Sequence, residues 1–223
     1  MSCLDILQVH EPKRFPKNKH NSYGYRCNEF ESYDWSDSIL FLGCSHVYGM
    51  SNLNENTIPY LYSTISGNTA INMGICGGNP ETIFHNTFAL IEKEFIPKQV
   101  AILWPEISRQ LYYKGDKLGS RKRPLLLGNW SEKAEKALWQ QHILYTENYM
   151  TKAYLIQKAV NNAWQLENTK VTNFTFRKKK LTQEGKILFP FTILPAQVDE
   201  AQDGVHHGPK SNINYAKFIH KYL

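Results

Sequence analysis

The chain has 223 residues, of which 42% are hydrophobic and 13% aromatic, and its formal net charge is +6. A chain of this length and composition is expected to fold as one globular domain with room for a core and a cleft. No apolar run approaches the roughly 20 residues that a membrane-spanning helix needs, so we expect no membrane partner.

The N-terminal segment is polar. Its first stretch, MSCLDILQVHEPKRF, has an early acid and no long apolar segment, so it predicts no signal peptide and a cytoplasmic location. The four cysteines form no C-x-x-C pair, which favours free thiols over disulfides in such a chain. Residues 1–37 are rich in Asn, Lys and Tyr, and we interpret them as an arm packed on a single domain formed by residues 38–223.

From residue 38 onwards, the pattern alternates between strands and helices. The strand-like runs are SILFLG (38–43), AINMG (70–74) and QVAILW (99–104), which are short and apolar like strands buried on both faces. The helical segments between them are NTIPYLYSTISG (56–67), with an Asn cap and a closing Gly, and PETIFHNTFALIEKEF (80–95). This order predicts an α/β protein with a mainly parallel sheet and right-handed crossovers.

The middle of the chain predicts an insertion. Residues 110–130 are basic and contain Gly, which favours a loop. Residues 131–166 contain neither Gly nor Pro, and they predict one long helix or two helices with a break near Asn148. We interpret the region of about 110–170 as a helical insertion in the domain.

The last third of the chain predicts two further strands and a closing helix. VTNFTF (171–176) and KILFPFTIL (186–194) have strand composition, although Pro190 weakens the second prediction. INYAKFIHKYL (213–223) has the apolar spacing of an amphipathic helix.

Lys and Arg are concentrated in three clusters at 13–19, 121–123 and 177–180. Clusters of this kind can bind nucleic acid. No stacking aromatic residues alternate with these charges, as a groove for single-stranded nucleic acid requires. We therefore expect solvated loops and treat nucleic-acid binding as a weak alternative.

The residue pattern suggests a nucleophilic serine. Ser45 directly follows the first strand and stands between Gly43 and Gly49, and ligands of open α/β sheets bind at the carboxyl ends of strands. A serine hydroxyl becomes a nucleophile when a base takes its proton and a third group orients that base. Asp203 and His206 are three residues apart in a Gly-containing turn. His206 is suited to accept the serine proton, and Asp203 is suited to orient the imidazole of His206. The sequence therefore predicts a catalytic triad of Ser45, His206 and Asp203.

Two alternatives remain open for these residues. His207 could serve as the base in place of His206, since Gly208 can absorb a shift by one residue. A zinc site is the second alternative, although the spacing does not demand a metal and we expect none. Its candidate ligands are Cys44, His46, Asp203 and His206.

A hydrolase of this kind also needs donors for the oxyanion, the negatively charged oxygen that develops in the transition state. The backbone N–H groups of Ser45 and Gly77 are the predicted donors, provided that the Gly-Gly turn faces the serine. Glycine at this turn lets the backbone approach the reacting centre closely.

Three segments, FLGCSHVYG, NMGICGGNPET and DGVHHGPKSN, resemble the SGNH (GDSL-type) hydrolase family, over roughly residues 38–107 and 195–223. The resemblance implies a three-layer α/β/α sandwich with flavodoxin-like topology, action on ester and amide bonds, and no cofactor. It also implies Ser45 as nucleophile, Asp203 and His206 as the Asp-x-x-His pair, and Gly77 as second oxyanion donor. The G-C-S-H-x-Y-G variant, preceded by NSYGYRCNEF, is most similar to versions carried by bacteriophages, which implies the host cytoplasm or the virion as location.

Two positions depart from the family pattern. Cys44 stands where the family usually has Asp, a side chain that is not itself catalytic. The family's Gly-x-Asn-Asp block falls on WPEI (104–107), so Glu106 occupies the place of the Asn whose amide is the third oxyanion donor. An ionised carboxylate at that place would repel the developing negative charge.

These features predict a serine esterase or deacylase whose substrate carries an ester, such as an acylated or acetylated glycan, and whose insertion sets specificity. The alternative is an SGNH scaffold with weak or lost chemistry that serves as a binding or structural component. Its partners would be virion proteins of a phage particle or further copies of the same chain. The complete set of Ser, His and Asp favours the enzyme, whereas Glu106, the basic arm and the large insertion favour the alternative.

Overall fold

A computed structural model gives the structure of the chain. It describes residues 19–113, 124–128, 131, 133–143, 146–176, 182–183, 186–187 and 191–223. The first 18 residues of the predicted arm, all of the basic clusters except Lys19, and Pro190 lie outside the described residues.

The elements follow one another in the order that the sequence predicts for the first half of the chain. They are β1 (Ser38–Gly43), α1 (Ser45–Tyr48), α2 (Ile58–Ser66), β2 (Thr69–Gly74), α3 (Pro80–Glu92) and β3 (Gln99–Leu103). Short 3-10 helices lie at Phe30–Ser32, Trp35–Asp37 and Asn54–Asn56. The second half contains β4 (Gln110–Tyr113), β5 (Pro124–Leu127), α4 (Lys133–Ile143), α5 (Thr146–Leu166), β6 (Lys170–Thr175), β7 (Thr182–Gln183), β8 (Lys186–Ile187), β9 (Thr192–Ile193) and α6 (Pro209–His220).

The central sheet has five strands in the order β2-β1-β3-β6-β9, and all neighbouring pairs are parallel. This confirms the predicted α/β class with a parallel sheet. The last residue of β1, Gly43, is in register with Gly74 of β2 and Leu103 of β3. The three strands therefore end at one edge, and the strand order reverses beside β1, which is where open α/β sheets bind ligands.

Helices cover both faces of the sheet, which gives the three predicted layers. Along β1, Ile39 and Phe41 face a cluster formed with α2 and α6, while Leu40 and Leu42 face a second cluster formed with α3 and α5. Successive side chains of a strand point to opposite faces, so a continuously apolar strand such as β1 is expected in a sheet buried on both sides.

Capping residues fix the ends of the first long helices. The Thr57 hydroxyl accepts from the N–H of Tyr60 at the start of α2, so the cap is Thr57 and the predicted Asn cap is wrong by one residue. Gly67, at φ +74°, ends this helix in the left-handed conformation that favours glycine. Asn79 and Thr82 form a reciprocal capping box at the start of α3.

The described part of the arm contributes to the core. Tyr25, Phe30 and Trp35 are buried in the cluster that α3 and α5 form with the sheet. The Tyr25 hydroxyl donates to Asn86 Oδ1 at 2.8 Å, which satisfies its polar end in the interior. The segment is polar in composition, but these three buried aromatic residues attach it to the domain.

The prediction of a loop at 110–130 is wrong at both ends of that range. β4 and β5 pair antiparallel as a two-stranded sheet, with Gln110 opposite Leu127. The residues 114–123 that connect them lie outside the described residues. Two short apolar or aromatic runs, LYY (111–113) and PLLL (124–127), carried the strand signal that the net charge of the basic segment between them obscured.

Two helices span the predicted helical region, and the second begins at Thr146, slightly before the predicted break near Asn148. α5 leads from the β4–β5 hairpin and α4 to β6, and it packs against α3. Trp164 of this helix is fully buried, and its indole N–H donates to the Thr87 hydroxyl at 3.2 Å. α5 therefore covers one face of the central sheet.

Strand β6 confirms the strand predicted at 171–176, and β8 and β9 lie within the second predicted strand at 186–194. The closing helix α6 begins four residues before the predicted start, at Pro209. Among the described residues, no helix combines the length and the apolarity needed to cross a membrane.

Candidate active site

The segment after β1 places Ser45 at the carboxyl edge of the sheet. Ser45 is the first residue of α1, a helix of four residues that Gly49 ends at φ +78°. Gly43 precedes this turn because a Cβ there would lie 2.5 Å from Val47 Cγ2 and 2.9 Å from the carbonyl oxygen of Leu103. The short helix therefore packs directly on the strand ends, and Ser45 is held with 7% of its surface exposed.

Asp203 and His206 lie in the loop between β9 and α6. The N–H of Ala201 donates to the carbonyl oxygen of His206 at 2.8 Å and closes the loop on itself. Gly204, between the two candidate residues, has φ +65°, a conformation that side chains disfavour. This tight turn directs both side chains to the same side.

Asp199 anchors the base of this loop. Its carboxylate accepts the N–H groups of Lys210 at 2.9 Å and Ser211 at 2.7 Å in the first turn of α6. Gly208 is needed beside it, since a Cβ there would lie 2.6 Å from the Asp199 carboxyl carbon. Burial raises the pKa of Asp199, but the hydrogen bonds from Ser211 and Lys210 outweigh it and lower the pKa below its usual value. Sequence reasoning did not identify this residue.

The three candidate triad side chains form one chain of hydrogen bonds. Ser45 Oγ lies 2.9 Å from His206 Nε2, and His206 Nδ1 lies 2.7 Å from Asp203 Oδ2. Ser45 and His206 are 161 positions apart in the sequence, so only the tertiary fold joins them. In this arrangement His206 can take a proton from the serine hydroxyl while Asp203 fixes the orientation and the tautomer of the ring.

The Asp203 carboxylate has four hydrogen-bond donors. Burial by itself would raise the pKa of this carboxyl, but the hydrogen bonds outweigh burial and hold the pKa well below its usual range. The donors are the backbone N–H and ring of His206, the Ser51 hydroxyl and the backbone N–H of Val205. Asp203 is therefore ionised wherever the protein is folded at ordinary pH, as the orienting member of a triad must be.

His207 lies in a different environment from His206. Its ring stacks on His46 with a centroid distance of 4.1 Å, and it also contacts Phe176 and Tyr215. The residue is 9% exposed and belongs to an aromatic cluster between the sheet and α6. The structure therefore brings His206, and not His207, to Ser45.

The Gly77–Gly78 turn lies against the segment that carries Ser45. A Cβ at Gly78 would lie 3.1 Å from the carbonyl oxygen of Gly43 and 3.2 Å from Cys44 Cα, so the two backbones touch. Gly77 has φ +77°. Among the described residues, neither the N–H of Ser45 nor that of Gly77 donates a hydrogen bond, which leaves both available to a ligand.

If the site hydrolyses esters as the sequence predicts, Gly78→Ala is expected to lower turnover by about 100-fold, the lower end of what one oxyanion donor contributes, because the added Cβ pushes the turn away from Ser45. The measurement is turnover of an ester together with the thermal unfolding midpoint. Gly67→Ala is the matched control, since it strains a glycine at φ +74° remote from the turn. Equal turnover of the two variants would contradict the role of the turn.

Glu106 lies half-buried in the turn that follows β3. Its carbonyl oxygen accepts the N–H of Arg109 at 3.1 Å, and Arg109 Nη1 donates to the carbonyl oxygen of Gly78 at 3.2 Å. The turn after β3 is thereby tied to the Gly77–Gly78 turn. Arg109 was not identified from the sequence, because no local pattern links it to a glycine more than thirty residues earlier.

Arg26 of the arm holds the segment that follows the nucleophile. Its guanidinium donates to the carbonyl oxygens of Tyr48 at 3.2 Å, Gly49 at 2.9 Å and Asn52 at 3.0 Å. Burial lowers the pKa of Arg26 from its ordinary value. This buried cation was not identified from the sequence, because it lies in the segment interpreted as a surface arm.

The candidate zinc ligands are not arranged as a metal site. Among the described residues, no group of three or more His, Cys, Asp and Glu side chains is placed to hold a metal ion. The described cysteines, Cys27, Cys44 and Cys76, are free thiols.

Comparisons with known proteins give a distant structural likeness. Neither a protein-family model nor a curated protein matches the chain. One solved structure that matches is that of a protein assigned to the lipolytic G-D-S-L family from Desulfitobacterium hafniense DCB-2. It is 14% identical, its TM-score is 0.39, and the match covers 84% of this chain and 99% of that chain. A likeness this distant carries no argument about function.

Proposed function

We propose that the protein is a serine hydrolase that cleaves esters through an acyl-enzyme, with Ser45 as nucleophile, His206 as base and acid, and Asp203 as the residue that orients His206. The observation that carries this proposal is the unbroken chain of hydrogen bonds from the Asp203 carboxylate through His206 to Ser45 Oγ. Such a chain supplies both requirements of an activated serine, a base within reach and a group that orients it.

In the first half of the reaction, Ser45 Oγ attacks the ester carbonyl carbon and its proton passes to His206 Nε2. The carbonyl π electrons move to the oxygen, which the N–H groups of Ser45 and Gly77 stabilise. When the tetrahedral intermediate collapses, the bond to the alkoxy oxygen breaks, and His206 gives its proton to the leaving alcohol. Ser45 is then acylated.

In the second half, a water molecule takes the place of the alcohol. His206 accepts a proton from water, the resulting hydroxide attacks the acyl carbon, and the bond to Ser45 Oγ breaks as His206 returns the proton. The products are a carboxylic acid and the free enzyme. No residue in this cycle requires a cofactor, and an acylated or acetylated glycan is the substrate class that we propose.

The proposal is tested by reaction with a fluorophosphonate probe. The probe's phosphorus is attacked by an activated serine, fluoride leaves, and a stable phosphonyl-serine remains. We expect one adduct, located by mass spectrometry on the peptide that contains Ser45. Heat-unfolded protein is the control, since unfolding separates Ser45 from His206. Absence of an adduct on the folded protein would overturn the proposal.

A second candidate function is a binding or structural component on a hydrolase-like scaffold. Glu106 favours it, because a carboxylate at the expected place of an oxyanion donor opposes catalysis. This function predicts no adduct at Ser45 and no hydrolysis of an activated ester such as p-nitrophenyl acetate. The same experiment therefore separates the two candidates.

We expect Glu106→Gln to raise turnover at neutral pH, by up to about 100-fold, the lower end of what one oxyanion donor contributes. The physical reason is that a charged carboxylate repels the developing oxyanion, while an amide can donate to it. The measurement is turnover of an activated ester as a function of pH, with Glu92→Gln on the exposed surface as matched control.

The pH dependence of turnover distinguishes an ionised Glu106 from a protonated Glu106 that donates a hydrogen bond. If Glu106 is protonated and donates, wild-type turnover falls as the pH rises, and the Gln variant lacks that decline. If rate and profile are both unchanged in the variant, Glu106 does not face the oxyanion, and the match of WPEI to the family's Gly-x-Asn-Asp block is wrong.

A further inference from the structure

Ser51 lies six residues after Ser45, in the loop that leads away from α1. Its backbone has φ +59°, and it is one of three described non-glycine residues with positive φ. This conformation is unfavourable for a residue with a Cβ, and it persists only where the surroundings impose it. The conformation turns the Ser51 side chain toward the loop of Asp203, where its hydroxyl donates to Asp203 Oδ2 at 2.7 Å.

The bond from Ser51 differs from the other hydrogen bonds of the Asp203 carboxylate. Oδ1 accepts the N–H groups of Val205 at 3.0 Å and His206 at 2.9 Å, and Oδ2 accepts the ring of His206. All of these donors belong to the same short loop as Asp203. Among the described residues, Ser51 is the donor to this carboxylate that comes from the segment carrying the nucleophile.

We propose that Ser51 is a positioning residue of the triad, which fixes the rotation of the Asp203 carboxylate and shares Oδ2 with the ring of His206. This inference rests on the proposed function, because it assigns Ser51 to the same reaction. The Ser51 hydroxyl donates to Asp203 and not to Ser45, so in this role it acts through Asp203.

The loop that presents Ser51 is itself held from two sides. Arg26 donates to the carbonyl oxygens of Gly49 and Asn52, which flank Met50 and Ser51. The Asn52 amide donates to the carbonyl oxygen of His207 at 3.0 Å, so the loop is tied to the Asp-His segment at a second point. A hydroxyl held by a fixed backbone can orient a carboxylate, whereas one on a mobile loop cannot.

Loss of the Ser51 hydroxyl has two expected effects on catalysis. The carboxylate gains rotational freedom, so the His206 ring is less often aligned with Ser45, and turnover falls about tenfold, as a hydrogen bond to a charged group implies. Oδ2 also becomes a stronger acceptor, so the Asp203–His206 pair holds a proton more tightly. The acid limb of the pH–rate profile then moves to higher pH, while KM stays unchanged.

The experiment compares Ser51→Ala with Ser51→Gly. Both variants remove the hydroxyl, but glycine accepts φ +59° without strain, so the Gly variant separates the hydrogen bond from backbone strain. Ser22→Ala is the matched control, because the Ser22 hydroxyl also donates to a carboxylate at 2.7 Å, that of Glu29 in the arm. Two further titratable side chains lie near His206: His46, with ring centroids 5.2 Å apart, and His207, which stacks on His46, and both are unchanged in every variant.

Two readouts are measured on each protein. One is turnover of an activated ester against pH, and the other is the NMR resonance of the His206 Nδ1 proton, which requires no catalysis. We expect both Ser51 variants to lose about tenfold in turnover, to shift the acid limb upward and to shift or broaden the proton resonance, with Ser22→Ala like the wild type.

The outcomes separate this inference from the proposed function. Unchanged pH profile and proton resonance in both Ser51 variants would overturn the positioning role. A loss of turnover in Ser51→Ala that Ser51→Gly restores would also overturn it, because backbone strain would then be the cause. If the wild type hydrolyses nothing, the proposed function fails, and the proton resonance alone decides whether Ser51 orients the Asp203–His206 pair.

Discussion

Ser45→Ala is expected to abolish labelling by a fluorophosphonate probe and to reduce ester turnover by about 10⁶-fold, the loss expected when a triad nucleophile is removed. The reason is that no acyl-enzyme can form without Ser45 Oγ. Residual hydrolysis would come only from the oxyanion donors and from substrate binding. The measurements are gel-based labelling and turnover of an activated ester by wild type and variant.

The fold of the Ser45→Ala variant should persist. The substitution removes one hydrogen bond, to His206 Nε2, which typically contributes about 0.5–1.5 kcal/mol to the free energy of unfolding. Thermal unfolding followed by circular dichroism therefore serves as the control. Equal labelling of the variant and the wild type would mean that another serine reacts with the probe, and Ser45 would not be the nucleophile.

His206→Ala is expected to lower turnover by about a thousandfold or more, because the base and the contact to Asp203 are lost together. Turnover of the activated ester and the rate of probe labelling measure this effect. The matched variant is His207→Phe, which retains an aromatic ring against His46 and Phe176 in place of the imidazole. We expect this variant to retain most of the wild-type turnover.

A comparison with His207→Ala separates packing from chemistry. Removing the ring leaves a cavity in the aromatic cluster, so the thermal unfolding midpoint should fall while turnover of the folded fraction changes little. A greater loss of turnover in either His207 variant than in His206→Ala would reverse the assignment of the base. The hydrogen bond between His206 and Ser45 would then not be the catalytic one.

Much of the fold could be predicted from the sequence because its signals are local. The strands β1, β2 and β3 are short apolar runs, and the helices between them carry Pro, capping residues and closing Gly at their ends. Alternation of such elements restricts the topology to a parallel sheet with crossovers. The strands β4 and β5 were not predicted, because the basic segment between them obscured two short apolar runs, and because pairing of two strands depends on cross-strand contacts more than on composition.

For the candidate site, the sequence by itself determined which residues could act together. Asp203 and His206 are three residues apart, so one turn presents both side chains, and Ser45 follows an apolar strand directly. Their catalytic roles remain predictions. What the structure adds is the distance between side chains far apart in the chain.

Only the tertiary structure decided which groups support these residues. Ser51 lies 152 positions from Asp203, and Arg109 lies 31 positions from Gly78. Arg26 reaches the loop after α1 from a segment that looks like a surface arm. A hydrogen bond between distant segments leaves no periodicity or spacing in the sequence, because it depends on how strands and loops pack at the sheet edge. The identity of the triad candidates is therefore a local property of this sequence, whereas their positioning is a property of the packed fold.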